Sequence, residues 1–360
     1  MKFCNLTSVF TRLALVFLVV VSIGACRPDE LKIPNNSLLD ADEVDKFPIG
    51  TDVGPIVNIH YLESSGDVLV LTSGDGTLRR IDGATHITEE EFSLGILSGE
   101  ATGFDREGTL LLGARLSQAA YVNNEGIQLY GDIGVWNTLT GERVACIDMV
   151  CFDGEPWEPS YLGASIDAGG NRVLRYSPWV YSVIEINNGN EAVTVQINDP
   201  DSDSRKILCE AVFDPLTDRI ALAYNTGEVQ IKATIPYSIQ ASTETSDSKL
   251  CDVDLAFSRD DRLLAQVIHG QLYVWQLGAL RGKLLFSESI EDVTRIKWSP
   301  NQPLLYVSFD NRMDIFSIQA NGRVGYLDTP NITSFEISPD SRFLYWGDTF
   351  GVLHLMSANG

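Results

Sequence analysis

Seven times along this chain a short apolar run ends in a tight turn, and the interval between one occurrence and the next is close to forty residues. The cleanest copy fills residues 331–360. An apolar run at 332–337 meets Ser338-Pro339-Asp340, a second at 343–346 meets Gly347-Asp348-Thr349, and a third occupies 352–356. Runs of four to six residues rich in Ile, Phe, Tyr, Trp and Val, punctuated by Pro, Gly and Asp, are too short for helices and read as strands joined by turns. The unit is a β-meander. A lone meander leaves one sheet face apolar, so repetition implies that the copies stack on one another.

Aligned on the apolar residue before the first turn, the copies start from Leu62, Phe104, Ile166, Phe213, Phe257, Trp298 and Ile337, with spacings of 42, 62, 47, 44, 41 and 39 residues. Most lie near the roughly 40–45 residues of a four-stranded propeller blade, and the gap of 62 requires an insertion. Seven copies favour a closed ring, because closure removes exposed sheet edges. Three stretches carry a family resemblance: Gly74-Asp75-Gly76-Thr77-Leu78-Arg79-Arg80-Ile81-Asp82, Gly131-Asp132-Ile133-Gly134-Val135-Trp136-Asn137, and Gly270-Gln271-Leu272-Tyr273-Val274-Trp275-Gln276. Each resembles the third strand and exit turn of a tryptophan-aspartate (WD) repeat. The resemblance extends over about residues 43–360 and implies an all-β, seven-bladed β-propeller. The Gly-His pair that opens a standard repeat is missing, and the closing dipeptide has drifted to Ile81-Asp82, Trp136-Asn137 and Trp275-Gln276. The buried Asp-His-Ser-Trp network of the family is therefore expected to be absent.

The last copy has only three strands, so its blade needs an outer strand from elsewhere. Val44-Asp45-Lys46-Phe47-Pro48-Ile49 is the natural donor, which would join the two ends of the chain and close the ring. Pro48 is tolerable there because an outer strand is hydrogen-bonded on one side only.

Upstream, residues 1–25 read as an export signal. Lys2 and Arg12 supply the positive region, and the eleven apolar residues 13–23 are fewer than the roughly 20 that span a bilayer as a helix. Ile23-Gly24-Ala25-Cys26 resembles the bacterial lipobox, which implies lipidation at Cys26. Two acyl chains of about 15 CH₂ each, at ~0.8 kcal/mol per CH₂, give on the order of 20 kcal/mol, an effectively permanent anchor. Arg27 after that Cys points by the family's sorting rule to the outer membrane, if the organism has one. Residues 26–42 are polar and acidic and read as a tether; residues 43–360 form the propeller.

A net charge of −23 with Lys and Arg scattered argues against nucleic-acid partners. The run Glu89-Glu90-Glu91 is expected to be a solvated connection. The long gap contains two irregular pieces, 117–130 and 149–159, the latter offering Phe152 and Trp157 as a partner-binding loop. The carboxylates from Asp199 to Glu210 imitate a calcium loop, but Ser204 stands where the sharp turn wants Gly, so a solvated acidic turn is expected. After export, Cys146, Cys151, Cys209 and Cys251 allow three pairings; Cys146 with Cys151 and Cys209 with Cys251 are preferred. His60, His86, His269 and His354 have no partners at ligand spacing, and no catalytic motif, metal site or cofactor is expected. The chain thus reads as a monomeric, membrane-anchored extracytoplasmic scaffold for an envelope protein or peptide. The alternative is a hydrolase or lyase with a metal in the central channel.

Overall fold

The computed structural model describes residues 44–51, 53–95, 98–123, 126–147, 163–176, 180–186, 191–196, 207–216, 219–233, 237–240 and 253–357. Every regular element among them is a strand. After β1 (Val44–Pro48), blade one holds β2 (Ile56–Tyr61), β3 (Val68–Thr72), β4 (Thr77–Ile81) and β5 (Thr88–Ser93). Blade two holds β6 (Ser98–Phe104), β7 (Leu110–Asn123), β8 (Gly126–Asn137) and β9 (Arg143–Cys146). Blade three holds β10 (Gly163–Ile166), β11 (Arg172–Tyr176), β12 (Val180–Glu185) and β13 (Glu191–Gln196). In blade four are β14 (Leu208–Phe213), β15 (Ile220–Tyr224), β16 (Glu228–Lys232) and β17 (Tyr237–Gln240). Blade five has β18 (Val253–Phe257), β19 (Leu263–Ile268), β20 (Gln271–Leu277) and β21 (Gly282–Ser289). Blade six has β22 (Arg295–Trp298), β23 (Leu304–Ser308), β24 (Arg312–Ser317) and β25 (Gly322–Asp328). Blade seven has β26 (Ile332–Ile337), β27 (Phe343–Asp348) and β28 (Val352–Ser357).

Six sheets are antiparallel meanders in chain order, and the seventh runs β1-β28-β27-β26. β1 pairs with β28 from Val44 opposite Met356 to Pro48 opposite Val352. The seven-bladed ring is thus closed by the N-terminal strand, as the three-strand final copy requires. Each seam between neighbouring blades has its own apolar cluster. At the closing seam Ile49, Val53, Ile56, Ile59, Tyr345, Leu353 and Leu355 are packed together. The second strand of each blade lies between two neighbours, so β3, β15 and β23 are buried at every position and read as unbroken apolar runs.

Three expectations are corrected. Glu89-Glu90-Glu91 lies in β5, an outer strand rather than a connection. Glu91 is opposite Arg79 and Glu90 opposite Arg80, and Arg79 Nε donates to Glu91 Oε1 at 3.1 Å. Cross-strand cations make a glutamate run compatible with a strand, and charge on an outer strand discourages edge-to-edge pairing. Residues 117–123 and 126–130 belong to strands rather than to an irregular piece: β7 and β8 pair from Leu110 opposite Asn137 to Asn123 opposite Gly126, with a register shift between Leu116 and Ala120. In copy one the structural equivalent of Phe104 is Tyr61, not Leu62. The backbone N–H of Leu62 bonds to Asp67 O just as that of Asp105 bonds to Leu110 O.

In blades one and seven the end of the second strand carries a local polar network. In blade one Arg79, 5% exposed, donates to Thr72 Oγ1 at 2.7 Å and forms an ion pair with Asp75. In blade seven His354 Nε2 lies 3.0 Å from Asp348 Oδ2, and its ring stacks on Trp346. Asp348 Oδ1 meanwhile accepts the N–H groups of Phe350 and Val352. Both networks tie a third-strand side chain back to the turn before it.

Candidate functional site: the mouth of the central channel

The innermost strand of each blade ends where its turn begins, and in blades two, three, four, five and seven an Asp or Ser after it locks that end. Asp105 Oδ1 accepts the N–H of Leu110 at 2.9 Å, and Ser258 Oγ and Ser338 Oγ accept those of Leu263 and Phe343, each at 2.9 Å. These short side chains reproduce a backbone turn, which is why Asp or Ser recurs there. The last strand residue is thereby fixed at one end of the channel. Tyr61, Phe104, Ile166, Phe213, Phe257, Trp298 and Ile337, one from each blade, ring a cavity of about 320 Å³. That is at the lower end of the size range of small-molecule pockets.

The rim is held rigidly. Arg172, bonded to Asp167 Oδ2 at 3.0 Å, places its guanidinium over Phe213. Arg219, ion-paired with Asp214, lies over Phe257 and also donates to Asp261 O at 2.7 Å. Trp298 Nε1 donates to Ala256 O of the preceding blade at 2.9 Å. Two arginines also reach from blade to blade across the mouth. Arg106 of blade two donates to Pro215 O of blade four at 2.6 Å, and Arg259 of blade five to Glu63 Oε1 of blade one at 2.7 Å. The second pair is solvent-exposed, with side chains 39% and 47% accessible, so it contributes at most about 1 kcal/mol and opens readily.

The acidic groups lining the cavity are engaged. Glu336 pairs with Lys297, Glu63 with Arg259, Asp214 with Arg219, and Asp105 takes Thr109 Oγ1 at 2.7 Å. The group left over is His60, stacked on Phe104 with ring centroids 5.1 Å apart, whose Nε2 is buried with no hydrogen-bond partner. Burial pushes its pKa down, so the imidazole is neutral. His60 is packed against the turn at Gly108 and closes the wall of the cavity, and a rim that is aromatic in blades one, two, four, five and six suits an apolar or aromatic side chain.

Three residues deeper along consecutive inner strands lie Glu210, Asp254 and Arg295. Asp254 Oδ2 accepts the N–H of Ile296 in the next blade at 2.8 Å, and Arg295 donates to Ser334 Oγ at 3.2 Å. Inner strands carry unpaired backbone groups on their channel edge, and Asp254 satisfies one of these across a seam. Burial and the neighbouring Asp254 push the Glu210 carboxyl well up. Burial raises Asp254 to about 6 against the opposing pull of Arg295 and the Ile296 N–H. Two carboxylates so placed hold a proton between them more readily than either would in water.

Among the described residues no group of three or more His, Cys, Asp or Glu is arranged to hold a metal ion. His86, His269 and His354 do not join His60 at the mouth. Cys209 on β14 is disulfide-bonded, while Cys251, its expected partner, lies outside the described residues. Cys146 is half-buried at the end of β9, and Cys151 is likewise outside them. So are Cys26, Phe152, Trp157 and the acidic segment 199–206. Glu210 itself is a channel residue. Six of the seven rim residues coincide with the repeat anchors read from the sequence. His60 and the Glu210–Asp254–Arg295 layer do not, and their only sequence signal is a constant offset from those anchors.

No family model and no curated protein matches the chain. Among solved structures it is similar to the β-propeller domain of Cps50 (Swd1) from Myceliophteria thermophila. The two are 14% identical with a TM-score of 0.63, over 88% of this chain and 100% of that one. At that identity the likeness carries the fold alone.

Proposed function

We propose that this chain is a lipid-anchored extracytoplasmic scaffold that grips a protein or peptide partner at the mouth of its central channel. The observation that carries the reading is the mouth itself: seven rim side chains, one per blade and mostly aromatic, around a cavity of about 320 Å³. Propellers of this architecture commonly serve as interaction platforms. The anchor rests on Lys2, Arg12, the apolar residues 13–23 and Gly24-Ala25-Cys26. Acylation at Cys26 would hold the ring on the cell envelope, on the outer membrane where Arg27 can direct it there. The channel residues favour this reading over a metal-assisted hydrolase or lyase, because Asp254 is committed to a backbone N–H of the neighbouring blade and the cation Arg295 occupies the same layer.

The test places a photo-crosslinking residue at Glu63 on the mouth and, separately, at Phe350 on the opposite face, in cells of the source organism. Ala168→Trp, in a turn that lines the cavity, then fills the mouth from an accessible position. The scaffold reading expects a specific crosslinked partner from the mouth site alone, lost in Ala168→Trp with the thermal melt unchanged. A crosslink indifferent to that plug refutes binding at the mouth. Stoichiometric calcium or zinc surviving dialysis would favour the metal-assisted alternative.

A further inference from the structure

The topology places the N-terminal segment on a definite side of the ring. β1 is antiparallel to β28, with Val44 opposite Met356, and Leu344, just after the first turn of blade seven, is also opposite Met356. Residue 44 therefore stands at the level of the turns that join first to second strands. Those turns surround the channel mouth, so the segment preceding β1 enters the ring on the mouth face. The connections between third and fourth strands lie on the same face: Gly83 abuts Gly66 O in blade one, and Thr138 N bonds to Thr109 O in blade two.

Large apolar side chains are exposed at the tips of these turns. Ile87, Leu139, Leu216 and Leu280, from blades one, two, four and five, are 65%, 56%, 54% and 68% accessible. On the opposite face Phe350 in blade seven is the exposed large apolar turn residue among those described. Single exposed leucines are ordinary, but four turn tips distributed around one mouth form a collar. Arg281, next to Leu280, and Arg262 in the adjoining turn are exposed and able to keep their charges at a headgroup surface while their stems lie along apolar neighbours.

We propose that the mouth face lies against the lipid surface, with Ile87, Leu139, Leu216 and Leu280 resting in the headgroup region as a collar around the channel. The proposal rests on the lipid-anchor reading. The tether read from the sequence, residues 26–42, numbers 17 positions, and a chain of that number reaches no more than about 60 Å, from 3.3–3.6 Å per residue. Such a tether holds the face from which it issues near the bilayer, and turns weak individual contacts into an intramolecular event at high effective concentration. A partner segment reaching the mouth then comes from the membrane side, while Phe350 and the opposite face look away.

The experiment uses the full chain purified with its processed N-terminus and reconstituted into phosphatidylethanolamine–phosphatidylglycerol vesicles. Intact mass of the N-terminal peptide reports acylation at Cys26. Hydroxyl-radical footprinting, with the Cys26→Ala chain beside the same vesicles as reference, reports exposure. The expected result is severalfold lower oxidation of Leu139, Leu216 and Leu280 on the anchored chain with Phe350 unchanged, and loss of that protection in Leu139→Asp/Leu280→Asp, which alters exposed positions only. An acylated chain whose Leu139 and Leu280 are no better protected than Phe350 overturns the orientation and leaves the anchor standing. An unacylated Cys26 with the chain free of the vesicles overturns both.

Discussion

Replacing Asp254 with Asn should change how stability depends on pH, in a window between about pH 4 and pH 6. Burial raises the folded-state carboxyl from 3.8 to about 6, so in that window the folded chain holds a proton that the unfolded chain has released. Stability then falls as pH rises, since the slope follows the difference in bound protons between unfolded and native states. The contribution is fully present below the unfolded value and is gone once pH has passed the folded one. A shift of roughly 2 units at ~1.36 kcal/mol each sets a ceiling of about 3 kcal/mol. Proton sharing with Glu210 and access of channel water bring the expected effect to about 2 kcal/mol. Urea unfolding of the wild type and Asp254→Asn, at pH 4.5 and pH 7.5, measures it. The wild type should gain about 2 kcal/mol relative to the variant on going to the lower pH, and Glu210→Gln should abolish much of the same gain. Asp67 and Asp75 do not interfere. Against the opposing effect of burial, hydrogen bonds from Ser65 and Arg80 hold Asp67 below its usual range, and those from Arg79 and Thr72 do the same for Asp75. Both contribute stability that is lost only as pH falls through their depressed values, below the window used. Parallel profiles for wild type and Asp254→Asn would refute the buried-pair reasoning.

Deleting residues 44–48 should lower the thermal midpoint by uncovering Leu353 and Leu355 and the free edge of β28, and Ile49→Ala alone should cost about 2–4 kcal/mol; an unchanged melt for the truncation would exclude closure by this strand. Gly347→Ala would set a Cβ 2.3 Å from Ile56 Cβ across the closing seam, so urea unfolding should report a loss of about 1–3 kcal/mol. Arg79→Ala leaves Thr72 and Asp75 without their buried donor and should cost about 2–3 kcal/mol, with Lys restoring only part because one ammonium cannot serve Thr72, Asp75 and Glu91 together. Non-reducing peptide mapping should join Cys209 to Cys251; a Cys209 peptide linked to Cys151 would rule that pairing out.

Much of the fold is legible in the chain because a blade is local. Its strands follow one another within about forty residues, so alternation of apolar runs with Asp, Ser, Pro and Gly turns reveals the repeat, the number of blades and the missing strand that Val44–Pro48 supplies. The local signal fails where the deciding neighbour is on another strand. Glu89-Glu90-Glu91 looks like a connection until Arg79 and Arg80 are placed opposite it, and the β7–β8 hairpin runs past its blade with no change of composition to mark its length. Leu62 and Tyr61 are both apolar neighbours of a turn, and only the bond from Leu62 N to Asp67 O decides which of them stands on the rim.

The site is beyond such reading for a related reason. Each blade contributes one rim residue, and the acids and arginine beneath come one per strand from Glu210, Asp254 and Arg295. No window of sequence contains two of them as neighbours. Amino-acid order determined the strands, the turns and the need for a ring, since these depend on residues within a few positions of one another. Tertiary closure decided what faces the channel, which carboxylates share a proton and on which face the N-terminal segment emerges, because those contacts exist only after seven separate sheets have been brought round a common axis.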